Sequence, residues 1–339
     1  MNPIVRISFL FLLSSSSFLL LGQDAEFQYS RDITGVRTDG YHQIELSPEV
    51  LARLSGDLAD LRIEQIGDSS GQGSMIPYLI ERNEQVRNYR EIPMSLLNQA
   101  TKKRFSQAVL RKEEEGEINR IELTLSDQNF DVIATLEGSN NRLNWLTIKE
   151  DIRLVGISNE SVVYQFAQLN FPPSDYRFFR VRLENPELMV TQASLRMWQE
   201  EAGDYQPYQI KDWQITNDTD EKTTLIRVQL ADRYPVSRLQ FDISSKRDHV
   251  RPARIRYVRQ RVEADEGSRA IWRDMADLTI SSLEEPLYYL PLQFTDELEI
   301  TIYNQDNLPL NISDLQLAGP AFHLIAELER GASYRLLYG

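Results

Sequence analysis

Val132-Ile-Ala-Thr-Leu-Glu-Gly-Ser-Asn-Asn-Arg-Leu-Asn-Trp145 reads as an apolar strand, a short polar turn and the opening of a second strand. Gly138 and the pair Asn140 and Asn141 tolerate the positive φ that a tight turn demands. Trp145 begins the returning strand and offers a large apolar surface, so it is expected to pack between two sheets.

Outward from this hairpin the same period of two recurs. Ile121, Leu123 and Leu125 alternate with Arg120, Glu122 and Thr124; Phe179, Val181 and Leu183 alternate with Arg180 and Arg182. Ile226, Val228 and Leu230, then Leu239, Phe241 and Ile243, then Leu298, Ile300 and Ile302 repeat the pattern. One apolar and one polar face per strand suits an antiparallel sheet with one side packed and the other wet. Two such sheets make a sandwich. Helix is scarce. Its clearest candidate runs from Ser47 to Leu54, with Ser47 as cap, Pro48 in the first turn and Gly56 as stop. The expected fold is therefore all-β: tandem antiparallel β-sandwiches of jelly-roll type after an N-terminal β-rich unit.

The organisation follows from breaks in this pattern. Residues 1–22 read as a signal peptide, with Arg6 before an apolar, serine-rich run and a cut after Gly22. An N-terminal β-rich domain is expected over 25–115, closed by the charged joint Lys112 to Glu117. A first sandwich spans 117–200, the polar segment Glu200 to Lys222 links it to a second over 223–319, and residues 320–339 form a closing hairpin. The two sandwiches look duplicated. Trp145-Leu-Thr-Ile matches Trp272-Arg-Asp-Met, and Arg180-Val-Arg-Leu-Glu-Asn185 matches Glu299-Ile-Thr-Ile-Tyr-Asn304.

The Val132–Trp145 segment, with Asp175-Tyr-Arg-Phe-Phe-Arg-Val-Arg-Leu183, resembles the strand–loop–strand and the Tyr/Arg-rich strand of discoidin-like, galactose-binding-like β-sandwiches. The whole chain is also similar to an uncharacterised family of exported bacterial proteins. Gly40-Tyr-His-Gln-Ile-Glu-Leu-Ser-Pro-Glu-Val50, Asn304-Gln-Asp-Asn-Leu-Pro-Leu310 and Tyr334-Arg-Leu-Leu-Tyr-Gly339 carry that likeness. Members of that family generally continue further, often into a membrane-spanning tail. The first resemblance implies ligand binding by loops at one end of a sandwich, with aromatics stacking on sugar faces. Asn140, Asn141, Arg142 and Trp145 are the residues it points to.

Composition narrows the chemistry. The 339 residues hold 51 acidic and 37 basic side chains, a net charge of −14, 3 histidines and no cysteine. An acidic chain is a poor general nucleic-acid binder, because phosphate neutralisation needs a basic face. Without cysteine there is no disulfide, thiolate nucleophile, zinc ribbon or lipid-linked thiol. His42, His249 and His323 lack ligand spacing, so no metal site and no cofactor is expected. Asn304, Asp306 and Asn307 read as an Asx turn stiffened by Pro309, with calcium as the other use of such oxygens. Gly67-Asp-Ser-Ser-Gly71 matches the nucleophile-elbow pattern, but no strand-to-helix context surrounds it. The chain is thus not expected to be an enzyme.

One run departs from the acidic background. Lys246 to Arg261 carries Arg251, Arg254, Arg256 and Arg259 among its cations. It reads either as a patch for an anionic partner or as a solvated strand paired with acids such as Glu263, Asp265 and Glu266. The expected function is an exported, non-catalytic envelope protein, periplasmic or secreted, that binds a glycan or another envelope ligand. The alternative is a scaffold subunit that docks onto a membrane complex, and a serine hydrolase is the remote third.

Overall fold

The computed structural model describes residues 5–7, 27–67, 73–159, 163–201, 203–245, 247–264 and 267–339. It is all-β, with one four-residue helix among the described residues. Before residue 85 lie β1 (Val5–Ile7), β2 (Tyr29–Ile33), β3 (Gly40–Leu46), α1 (Pro48–Leu51), β4 (Leu61–Gln65), β5 (Ser74–Ile76) and β6 (Tyr78–Arg82). The middle of the chain supplies β7 (Val86–Pro93), β8 (Ser95–Thr101), β9 (Ser106–Arg111), β10 (Ile118–Leu125) and β11 (Phe130–Ser139). It continues with β12 (Leu146–Ser158), β13 (Val163–Phe166), β14 (Gln168–Ser174), β15 (Phe178–Leu183) and β16 (Val190–Glu201). The remainder forms β17 (Tyr205–Pro207), β18 (Ile210–Asp218), β19 (Thr223–Ile243), β20 (Val250–Ala264) and β21 (Gly267–Ser281). Last come β22 (Leu287–Tyr303), β23 (Ile312–Pro320), β24 (Phe322–Leu328) and β25 (Tyr334–Tyr338).

Two compact units result: Val86–Glu201, and Met1–Gln85 together with Ala202–Gly339. The first, central unit is a sandwich of a four-stranded sheet, β14-β10-β16-β7, and a six-stranded sheet, β13-β12-β11-β15-β9-β8. Every pairing in it is antiparallel. Alternation sends Ile121, Leu123 and Leu195 from one sheet, and Leu136, Leu154, Phe179 and Val181 from the other, into a single core. Burying a large aliphatic or aromatic side chain contributes about 1.5–3 kcal/mol, and with no cysteine to staple it, packing of this kind holds the sandwich together.

Among its described residues the terminal unit has three sheets. The largest follows the order β17-β23-β19-β22-β20-β21, with β18 added on β19. Ile226, Ile255 and Ile300 share its core with Leu239, Phe241 and Leu315. Two four-stranded sheets, β1-β3-β24-β6 and β2-β25-β4-β5, supply most of a second core around Leu46, Leu61, Phe322 and Tyr334.

Several boundaries differ from the sequence reading. Residues 86–111, placed at first in an N-terminal domain, supply β7, β8 and β9 to the central sandwich. The charged joint Lys112 to Glu117 is the β9–β10 connection, and it is pinned rather than loose. The Lys112 side chain is buried, and its ammonium donates to Asp175 at 2.5 Å and to the Gly116 carbonyl. The polar link after residue 200 contains β17 and β18; β18 exposes most of its side chains, and the extra residue Lys211 interrupts its alternation between Ile210 and Trp213. The closing hairpin is no hairpin: β24 pairs with β3 and β6, whereas β25 pairs with β2 and β4. The helix is shorter than expected, and Ser47 makes no side-chain cap bond but accepts from Arg31 instead. Of the expected signal peptide, residues 5–7 form β1, parallel to β3; the rest lies outside the described residues, as do residues 68–71 of the Gly67–Gly71 motif.

The segments read as duplicated occupy equivalent places in the strand order. The order β12-β11-β15-β9 in the central unit has its counterpart in β21-β20-β22-β19 of the terminal unit.

Candidate functional site

The site is built on the outer face of the six-stranded sheet. Leu136 on β11 and Phe179 and Val181 on β15 point into the core, so Glu137 and Arg180 point away from it. The register sets Glu137 directly opposite Arg180, and Ser139 opposite Phe178. Glu137 is only 8% exposed. Arg180 meets it with both arms of its fork: Nε donates to Oε2 at 2.6 Å and Nη2 donates to Oε1 at 2.9 Å. A bidentate pair of this kind fixes the guanidinium plane.

Trp145 lies over that plane. The Arg180 guanidinium carbon sits 4.4 Å from the centre of the indole ring, a cation–π contact. The indole Nε1 donates to the Arg142 carbonyl at 3.1 Å. Trp145 is partly exposed and stands outside the core cluster. This corrects the expectation that it packs between the sheets. β12 begins one residue later, so Trp145 ends the turn and does not obey the strand's alternation.

The turn itself holds its shape with the residues expected to bind a ligand. Asn141 Oδ1 accepts the N–H groups of Leu143 at 2.9 Å and Asn144 at 3.0 Å. Asn140 Oδ1 accepts the Arg177 N–H at 2.9 Å. The left-handed residue is Arg142, at φ 60°, rather than either asparagine, and its guanidinium lies 5.3 Å from the Phe178 ring centre. Gly138 serves packing, not a positive φ: a Cβ there would stand 2.2 Å from the Tyr176 ring. Tyr176 in turn packs edge-on against Phe179. Asn140, Asn141, Arg142 and Trp145 are therefore together at one end of the sandwich, with Arg180, Glu137 and Arg177 added. Alternation past Val181 already placed Arg180 outward. The sequence does not say that Glu137 would be its partner, because that depends on cross-strand register.

The basic run has a different fate at each position. Arg251 is 9% exposed and turned inward; burial lowers the pKa of its guanidinium. Arg254 pairs with Asp277 at 2.8 Å, and Arg256 with Asp274 and Glu299, both at 3.6 Å. The acids come from β21 and β22, not from the nearby Glu263. Arg259 is exposed and carries no ion pair among the described residues. Lys246 lies outside the described residues. Around the Asn304 turn, Asn307 donates to the Asn304 carbonyl through its backbone N–H, and Lys222 bonds Asp306 at 2.5 Å, which holds the Asp306 carboxyl below its ordinary pKa.

No family model and no curated protein matches the chain. Among solved structures it is similar to the CBM32-1 and CBM32-2 domains of Clostridium perfringens ZmpB, at 8% identity and a TM-score of 0.25, over 82% of this chain and 94% of that one. It is similar to a truncated AlyQ with CBM32 and alginate lyase domains, at 9% identity and a TM-score of 0.23, over 77% and 100%. A glycoside hydrolase 29 family member from an unknown rumen bacterium matches at 13% identity and a TM-score of 0.21, over 65% of this chain and 40% of that one. At TM-scores this low, none of these proteins assigns a site or an activity to this chain.

Proposed function

We propose that the protein is a non-catalytic, exported binder of saccharides in the bacterial cell envelope, and that the Trp145 end of the central sandwich is its binding site. One observation carries this reading: a partly exposed tryptophan stands at a loop end beside an arginine fixed by a buried carboxylate. A sugar presents an apolar C–H face and a rim of hydroxyls. An indole takes the first, and placed N–H donors take the second. Holding Arg180 in position beforehand removes part of the entropy that binding would otherwise cost. Asn140 and Asn141 spend their side-chain oxygens on the loop, which leaves their NH2 groups as further donors. Export is supported by Arg6 and the apolar run that follows it.

A glycan array probed with residues 23–339, followed by equilibrium titration of each hit against Trp145→Ala, tests the proposal. Binding that falls about tenfold or more in the variant supports it. Silence across neutral and acidic glycans contradicts it. The exposed Leu143 and Leu146, 83% and 61% accessible, favour a second reading: docking of this same end onto an envelope protein. Co-purification of one stable partner that Leu143→Asp abolishes would favour that reading over the first.

A further inference from the structure

Bulges on three strands of the terminal unit, β18, β19 and β20, converge on one cleft. Ile210 faces Leu230 and Asp212 faces Gln229, which leaves Lys211 as the extra residue of β18. Val258 faces Trp272 and Gln260 faces Ile271, which leaves Arg259 as the extra residue of β20. On β19, Gln229 faces Glu297 but Tyr234 already faces Thr295, so the register against β22 shifts across residues 230–233, a stretch that includes Arg233. A bulge unpairs a residue and re-aims its side chain, and such defects gather at functional sites. Here Lys211, Arg233 and Arg259 all line an open cleft of about 530 Å³.

The charges in the cleft do not cancel. Arg261 is held by Asp296 at 3.1 Å and Glu297 at 2.6 Å, and Asp232 faces Arg53 at 3.4 Å. Both lining carboxylates are thus occupied. Lys211, Arg233 and Arg259 have no carboxylate within ion-pair distance among the described residues. Arg233 is half-buried: one Nη donates to the Leu54 carbonyl at 3.2 Å, and the guanidinium lies 5.2 Å from the Phe294 ring centre. Its burial lowers the guanidinium's pKa, against the pull of Asp296 and Asp60. A partly desolvated cation with no carboxylate in ion-pair contact favours an anion that can make that contact.

We propose that this cleft binds an acidic saccharide unit, with its carboxylate or sulfate among Lys211, Arg233 and Arg259 and its hydroxyls on Gln229 and Gln260. The volume is in the range of sites for small organic ligands, well beyond a bare inorganic anion. This site is separate in sequence and in unit from the Trp145 end, and it stands or falls independently of it.

The test is calorimetric titration of the purified chain with a glucuronate-containing disaccharide, a sulfated disaccharide and a neutral disaccharide, at low and high salt. Arg259→Gln, Lys211→Gln and Trp145→Ala are titrated alongside, with thermal unfolding as a check on folding. At least one acidic sugar is expected to bind about tenfold tighter than the neutral one, to lose about tenfold in Arg259→Gln or Lys211→Gln, and to weaken with salt. Which acidic sugar binds tells carboxylate from sulfate. Equal affinity for acidic and neutral sugars, no binding of either acidic sugar, or loss in Trp145→Ala alone overturns the proposal. Arg259→Lys, which keeps the charge, is expected to retain most of the affinity; loss equal to that of Arg259→Gln in a folded protein would also count against it.

Discussion

The two equivalent hairpins of the molecule carry the same three-part device with its charges exchanged. In the central unit the acid is on β11 and the arginine on β15: Glu137 faces Arg180, and Trp145 covers the arginine. In the terminal unit the arginine is on β20 and the acid on β22: Arg256 faces Glu299, and Trp272 lies 5.9 Å from the arginine. Both acids are nearly buried, at 8% and 9% exposure. What a cross-strand position asks for is a complementary pair under an aromatic ring, not a particular residue on a particular strand. The difference lies in the partners. Glu299 is reached by Arg227 as well, at 3.1 Å, whereas Glu137 has Arg180 alone among the described residues. The terminal device is a shared network; the central one is a single tight fork with its tryptophan closer.

Removing each arginine breaks that comparison most sharply. Arg180→Ala strands a buried carboxylate and is expected to cost the central unit about 3 kcal/mol. Arg256→Ala leaves Glu299 with Arg227 and is expected to cost about 1 kcal/mol. Calorimetric unfolding that resolves the two units is the measurement, and equal losses would refute the distinction. The exchanged pair Glu137→Arg with Arg180→Glu should recover at least half of the loss caused by either single change, since the terminal unit already uses that polarity. In ligand binding the tryptophans should part company: Trp145→Ala weakens saccharide binding about tenfold or more, and Trp272→Ala leaves it unchanged. The smallest effect is in acid. A hydrogen bond from Arg153 lowers the pKa of Asp131 in the central unit, and one from Ser47 that of Glu49 in the terminal unit. Groups with depressed folded-state values stabilise above their unfolded pKa and lose that contribution as pH falls through the folded one. Both units should therefore weaken modestly below about pH 4, as read by thermal unfolding across pH.

Period-two alternation made the strands around Ile121, Phe179, Ile226, Leu239 and Ile300 legible, and with them the all-β class. Ile210–Asp218 gave a weaker signal, because the extra residue Lys211 sets Ile210 and Trp213 out of period and most of the strand's side chains are exposed. Pairing partners were out of reach too, because alternation states which way a side chain faces but not which strand lies beside it. That is why residues 86–111 fell on the wrong side of a boundary and why β24 and β25 were joined as a hairpin. At the site, the turn at Asn140–Asn141 was readable from residue type. The outward turn of Trp145 was not, because it depends on where β12 starts. The bulges at Lys211 and Arg259 were equally hidden, since an extra residue shows only against its partner strand.

The central claim is that Trp145 and Arg180 form a saccharide-binding end, and titration of the best array glycan into wild type and Trp145→Ala tests it most directly. The account predicts saturable binding by wild type and at least about a tenfold loss in a variant that unfolds at nearly the same temperature. Unchanged affinity in that folded variant would contradict it.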